Sequence, residues 1–309
     1  MPHHTTGTVL MVRPANFARA SVTVADNHFQ DTPDNEHFLP VALAARREFD
    51  AFVARLRAAG VQVLVVEDTA VPVKPDAVFP NNWLSTHEDG LLITYPVYHP
   101  QRRAERRRDI IDALAGTHRV HRILSLEKWE REGRYLESTG SLILDRSHRI
   151  AYACRSQRCS RAALRDWCTA LHYRPLLFDA LDDGGRPVYH TNVMMSLGTH
   201  HAVVCLESVP DPAQRKRLLQ SLRDGGREVL PITLSQMAAF AGNMIELTTP
   251  EGPLWVMSTS AYTSLREDQI KTLLSPPNTR LLHSDLSNIE RFGGGSARCM
   301  IAEVFLPAG

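Results

Sequence analysis

The stretch CMIAEVFLP, residues 299–307, and the stretch TVLMVRP, residues 8–14, together decide the fold of this 309-residue chain. Between them one order of elements recurs: two short apolar runs joined by a turn, then a helix-period segment, then a third apolar run. The first such unit opens with WLSTHEDGLLITYPV (83–97), a hairpin with Asp89-Gly90 at its turn. It continues through the arginine-rich helix QRRAERRRDIIDALAG (101–116) to a strand near HRILSL (121–126). The second runs from the hairpin SLILDRSHRIAYACR (141–155) through the helix RCSRAALRDWCTAL (158–171) to YRPLLF (173–178). The third has the hairpin NVMMSLGTHHAVVCLE (192–207), then a helix with Asp211 as N-cap and Pro212 in its first turn, then REVLPI (227–232). The fourth has NMIELTTPEGPLWVMS (243–258), a helix opened by the capping box Ser264-x-x-Glu267, and RLLHS (280–284).

Two apolar runs remain without hairpin mates. TVLMVRP is followed by the helix LPVALAARREFDAFVARLRAAG (39–60), with Phe49, Phe52, Val53 and Leu56 at helical spacing and Gly60 as C-terminal cap, and by the buried strand VQVLVVE (61–67). It lacks the other half of its hairpin, and CMIAEVFLP can supply it. Pairing the last strand with the first makes five ββαβ units and closes them into a ring, which removes the exposed sheet edges. The economical fold is therefore an α/β ring of five such units; the competing reading is an ordinary open α/β sheet with both faces covered, which explains the alternation but not the matching of the two ends.

Composition narrows the function classes. A net charge of +1 gives no field for nucleic acid or anionic membrane, so neither is expected as a partner. Five cysteines, an odd number with no C-x-x-C spacing, argue against a disulfide framework or a zinc finger. MPHHTTGTVLMVRP shows neither the basic nor the apolar region of a leader, and no run approaches a membrane span, so a cytoplasmic location is expected. The histidines and acids form no paired H-E-x-x-H or Cys/His ligand set. No metal and no cofactor is expected.

Each hairpin is preceded by a polar cluster: PDAVFPNNW (75–83), YLESTGS (135–141), VYHTN (188–192), FAGNM (240–244) and GGGSARC (293–299). A ring would bring these five to equivalent points near its axis. There Cys299 could serve as nucleophile, His190 as the base that shuttles its proton, and Glu137 as the carboxylate that orients the imidazole. Taken singly, each has a plainer reading: a core cysteine, a core histidine, a surface acid, and turn residues at Asn81 and Asn82.

Together, GGGSARCM with Cys299, HTN with His190, LESTGS with Glu137 and PDAVFPNN with Asp76 resemble, in order and over essentially the whole chain, the landmarks of the guanidino-group-modifying enzymes. This superfamily includes arginine deiminases, dimethylarginine hydrolases and glycine amidinotransferases. The resemblance implies an α/β fold, a five-bladed α/β propeller of ββαβ units closed by its N- and C-terminal strands, with residues 1–309 as one catalytic domain. With the fold it implies a small amino-acid substrate, Cys299 as nucleophile, His190 as general acid and base, Glu137 as its partner, and Asp76 as a substrate-contacting carboxylate. It also implies Arg155 as the cation for the substrate α-carboxylate, with Arg298 and the Arg102-Arg103 pair as weaker candidates. A homodimer is compatible with it.

The chain departs from the superfamily pattern at two places. Where guanidino enzymes carry a carboxylate soon after the motif phenylalanine, this chain has Pro80, Asn81 and Asn82, and where many deiminases have His-x-Asp it has His190, Thr191 and Asn192. A buried guanidinium needs carboxylates to offset its lost hydration, whereas an amide donates and accepts and so suits a neutral ureido group. The expected substrate is therefore citrulline, as in the similar citrulline utilization hydrolases with their PNNW motif, converted to ornithine, carbon dioxide and ammonia. Arginine or dimethylarginine hydrolysis and amidino transfer are the alternatives, and a noncatalytic binding protein is the third.

Overall fold

The computed structural model describes residues 4–18, 27–31 and 38–309. Met1 to His3, part of the stretch read as carrying no leader, lie outside the described residues. Strand β1 (Thr8–Arg13) lies parallel to β2 (Gln62–Glu67), joined by the helix Phe38–Ala58. That helix turns Ala45, Phe49, Phe52 and Leu56 inward, and each aromatic so buried contributes on the order of 1.5–3 kcal/mol. The next blade pairs β3 (Leu84–Thr86) antiparallel with β4 (Leu91–Thr94), and β4 parallel with β5 (Arg122–Ser125). The same pattern returns in β6 (Ile143–Asp145), β7 (Ile150–Cys154) and β8 (Arg174–Phe178). It returns again in β9 (Met195–Leu197), β10 (His201–Val204) and β11 (Glu228–Pro231), and in β12 (Ile245–Thr249), β13 (Gly252–Ser258) and β14 (Arg280–Ser284).

The fifth blade is completed by β15 (Ala302–Glu303), which pairs antiparallel with β1 through Val9 opposite Glu303 and Leu10 opposite Ala302. The expected closure of the ring by the two terminal strands is thus present. The first strand of each hairpin faces the axis, with β15 beside β3, β6 beside β9 and β9 beside β12. Apolar clusters fill the seams between neighbouring blades and include the fully buried Trp83, Trp167 and Trp255.

Four expectations are corrected. The apolar run after Cys299 gives only the two-residue β15, and Cys299 itself sits in the turn before it. The strand VQVLVVE is half exposed, because β2 is the outermost strand of its blade. The arginine-rich segment breaks into a 3₁₀ turn, Pro100–Glu105, and a helix, Arg108–Ala115. Ser264 ends a short helix, Thr259–Ser264, and the next helix, Glu267–Leu273, is capped two residues later, where Arg266 N–H donates to Gln269 Oε1 at 3.0 Å. Among the described residues no helix is long and apolar enough to cross a membrane.

Candidate active site

Three of the polar clusters fold into single helical turns at the entrance to an axial strand: Pro80–Asn82, Ser138–Ser141 and Thr191–Met194. Glu137 and His190 each occupy the position just before such a turn, so two blades present them equivalently. The ring brings them together over 53 residues of sequence: His190 Nε2 lies 2.8 Å from Glu137 Oε2. The other carboxylate oxygen, Oε1, accepts the Tyr98 backbone N–H at 2.9 Å.

The close approach of these turns depends on Gly140. A Cβ there would lie 2.6 Å from Asn82 Nδ2 and 3.0 Å from His190 Nδ1, so the glycine lets amide and imidazole share one wall.

The glycine run before the cysteine is equally constrained. Gly294 takes φ +62° to end the helix Ser287–Gly293, and a Cβ on it would lie 2.3 Å from Asn27 Nδ2. Cβ atoms on Gly293 and Gly295 would press on Phe79, and Tyr189 Oη donates to the Gly294 carbonyl. The loop then delivers Cys299, a buried residue, to a small cavity. Asp76, Asn82, Arg102, Arg158, His190 and the three glycines share that wall.

Around the sulfur the donors are amides. Asn243 Nδ2 lies 3.2 Å and Asn192 Nδ2 3.4 Å from Cys299 Sγ. Asn243 Oδ1 accepts the backbone N–H groups of Arg298 and Cys299, at 3.1 and 3.4 Å. Burial pushes the thiol above its ordinary range, against these hydrogen bonds. Burial also lowers His190 to about 4, which the Glu137 carboxylate resists and the guanidinium groups of Arg158 and Arg102 reinforce. Burial favours the neutral form of Glu137, yet Arg158, the His190 hydrogen bond and Arg102 outweigh it and hold the carboxyl at about 2. The resting site is therefore a neutral thiol, a neutral imidazole donating from Nε2–H, and an ionised carboxylate.

Asn82 has a fixed orientation. Its Oδ1 accepts from Arg102 Nη1 at 2.9 Å, and its Nδ2 donates to Asn81 Oδ1 at 2.9 Å. A guanidinium only donates, so the amide cannot be reversed. Arg102 is clamped by both oxygens of Glu105, at 2.9 and 2.8 Å, and lies 3.8 Å from Asp76. Burial raises Glu105 to about 7 despite Arg102, with Asp76 and Glu137 adding to the rise.

Cys299, His190, Asp76 and Asn82 thus line one cavity, with Glu137 and Asn192 bonded to its members and Asn81 behind Asn82. Arg155 is elsewhere. It lies on the surface, paired with Asp179 at 2.9 Å, while Arg158 three residues on is buried, faces the cavity and stacks over Tyr189 at 4.9 Å. Arg298 also turns away, to Glu303. The axial cluster FAGNM supplies Asn243, which was not among the expected site residues, and Arg102, expected only as a weaker candidate than Arg155, lines the cavity.

The family model for eukaryotic N,N dimethylarginine dimethylhydrolase matches residues 13–306. The chain belongs to this family. The dimethylarginine dimethylhydrolase family lies within the guanidino-group-modifying superfamily and its members hydrolyse guanidino C–N bonds; the chain is a hydrolase acting on the C–N bonds of a guanidino or ureido group. Solved structures share its fold. The N-terminal domain of ArgZ, an arginine dihydrolase from the ornithine-ammonia cycle in Cyanobacteria, was solved bound to substrate. It is 15% identical with a TM-score of 0.72, over 97% of this chain and 99% of that one. AgrE, solved with ornithine and NAD+, is 17% identical with a TM-score of 0.73, over 97% of this chain and 39% of that one. A dimethylarginine dimethylaminohydrolase in an adduct with S-methyl-L-thiocitrulline is 15% identical with a TM-score of 0.68, over 97% of this chain and 99% of that one. No curated protein sequence matches the family member described here.

Proposed function

We propose that this enzyme hydrolyses the ureido group of citrulline to ornithine, carbon dioxide and ammonia, with residues 1–309 acting as one catalytic domain. The observation that carries the reading is the set of amides where a guanidinium would need carboxylates. Asn82 lines the cavity and Asn192 holds the sulfur, while Asp76 is the one carboxylate among the described residues lining it. Glu137 is bonded to His190 and Tyr98, and Glu105 to Arg102. A buried guanidinium short of carboxylate partners costs several kcal/mol. A ureido group carries no charge and matches the donor and acceptor of an amide, and the buried Arg158 takes the place expected of Arg155 opposite the α-carboxylate.

His190 Nδ1 accepts the Cys299 proton as the sulfur attacks the ureido carbon. Asn82 Nδ2, whose direction Arg102 fixes, donates to the ureido oxygen as it gains charge. The C–Nδ bond breaks, and the imidazolium returns its proton to the departing amine of ornithine, leaving a carbamoyl group on sulfur. Water, deprotonated by His190, attacks that carbonyl and the thiol is restored. The released carbamate decays to carbon dioxide and ammonia. Asn243 and Asn192 hold the sulfur through both steps.

A second reading, hydrolysis of arginine or dimethylarginine, is favoured by the family description and by the arginine dihydrolase among the structural neighbours. The test is incubation with citrulline, arginine and Nω,Nω-dimethylarginine separately, with products measured by mass spectrometry. Ornithine from citrulline, abolished in Cys299→Ser, is expected. Turnover of only the guanidino compounds would overturn the ureido assignment.

A further inference from the structure

A second cavity lies on the ring axis, and it shares no lining residue with the first. It is a small cavity walled by the axial strands β6, β9, β12 and β15, together with Arg146, Thr139, Arg298, Met244 and His4. Most of its charged groups are already satisfied. Arg298 binds Glu303 at 2.7 Å and the Ile301 carbonyl at 2.9 Å, and Glu246 Oε1 accepts the Thr199 N–H at 3.1 Å and its hydroxyl.

Arg146 is the exception. It is 6% exposed, and among the described residues no carboxylate lies within ion-pair distance of it. Its guanidinium carbon lies 3.8 Å from the centre of the Phe305 ring. A ring face recovers only part of a cation's lost hydration, so the N–H donors of this cavity-lining arginine remain available to an anion. Two further groups on the same wall have no hydrogen-bond partner: Ser196 Oγ and His4 Nδ1. His4 Nε2 is 3.1 Å from the Leu197 carbonyl, so it carries the proton and Nδ1 is left as an acceptor.

We infer that this cavity is a second binding site, for a small carboxylate that carries a hydrogen-bond donor on its α-carbon. The carboxylate takes the Arg146 fork and the Ser196 hydroxyl, and the α-substituent donates to His4 Nδ1. A hydroxyl or an ammonium meets that description, with Glu246 nearby to favour the ammonium. The inference stands apart from the choice of substrate at Cys299, because it uses none of the same side chains.

The test is calorimetric titration of the full-length enzyme with L-lactate and, separately, L-alanine. Wild type, Arg146→Gln, Arg146→Lys and Ser196→Ala are compared, with circular dichroism and turnover as controls on folding. Saturable binding of one or both probes is expected. It should weaken by about tenfold in Arg146→Gln, less in Arg146→Lys, and about threefold in Ser196→Ala, while turnover persists. If Arg146→Gln does not fold, Ser196→Ala, which removes only an unpaired hydroxyl, still gives the answer. Failure of wild type to bind either probe, or equal affinity in all folded variants, would overturn the inference. Neither result bears on ornithine release from citrulline, so the two proposals fail independently.

Discussion

At the scale of single residues, the protonation states of Cys299 and His190 set the behaviour of the site. Burial disfavours the charged form of each, so the free enzyme holds thiol and imidazole rather than an ion pair. His190 must be neutral to accept the thiol proton, and its pKa is lowered to about 4. Protonation therefore removes activity only as pH falls through that value, about two units below an ordinary histidine. kcat/KM for citrulline is expected to stay flat from about pH 5 to 8. An acid limb near 6.5 would show that His190 titrates as an exposed imidazole, and Glu105→Gln should leave the flat region in place. Asn243 gives a second prediction. Asn243→Ala removes a donor to Sγ and the shared side-chain acceptor of the Arg298 and Cys299 N–H groups, which keep backbone acceptors at the carbonyls of Asn243 and Ser296. The lost hydrogen bonds are worth about 0.5–1.5 kcal/mol each, so kcat should fall by about tenfold. Unchanged kcat would mean that the sulfur is positioned by its loop alone. Cys299, His190 and Glu137 were legible because their types and order are distinctive. Asn243 was not, since an asparagine that holds a thiol looks like one in a turn. Arg155 and Arg158 differ only in which side of a short loop they face, and a one-dimensional sequence does not record that.

At the scale of elements, the glycine run shows how local backbone geometry builds a site. Gly294→Ala forces an L residue into φ +62° and drives its Cβ toward Asn27. The strain alone costs about 1–2 kcal/mol, and displacement of the loop that precedes Cys299 should cost activity as well. Expected outcomes are a lower midpoint of thermal unfolding and a clear loss of kcat/KM. A fully active variant would show that the loop tolerates movement. The hairpins and most helices could be placed from apolar period and turn residues, and Asp211 caps its helix as its position indicates, accepting from Ala213 N at 2.8 Å. The arginine-rich segment did not yield its break at Arg106 and Arg107, because arginine has good helix propensity and the interruption comes from tertiary partners, Glu130 for Arg106 and Asp68 for Arg107. β15 kept only two residues for a similar reason: the Cys299 turn is held by Asn243, from another blade, in place of a strand neighbour.

At the scale of the whole molecule, the pairing of β1 with β15 holds the ring shut. Val304 N–H donates to the Thr8 carbonyl at 2.9 Å, and Val304→Pro would delete that bond without adding charge. Limited proteolysis should then cut the variant faster than wild type, and citrulline turnover should fall although every proposed catalytic side chain is intact. Equal protease resistance would mean that the seams between blades hold the ring without the terminal pair. The ring order itself was readable because two hairpin halves were left over at opposite ends of an otherwise regular series.

That terminal pair also has a kinetic meaning. Val9 meets a partner at Glu303, so the contact closes a loop of nearly the whole chain, and the entropy of closing it opposes its early formation. Until then β1 offers an open edge to any extended peptide, and the thiol that follows Gly295 has no fixed relation to the imidazole. Reactivity is thus withheld from incomplete chains: the nucleophile is assembled by the same event that ends the search for the native topology.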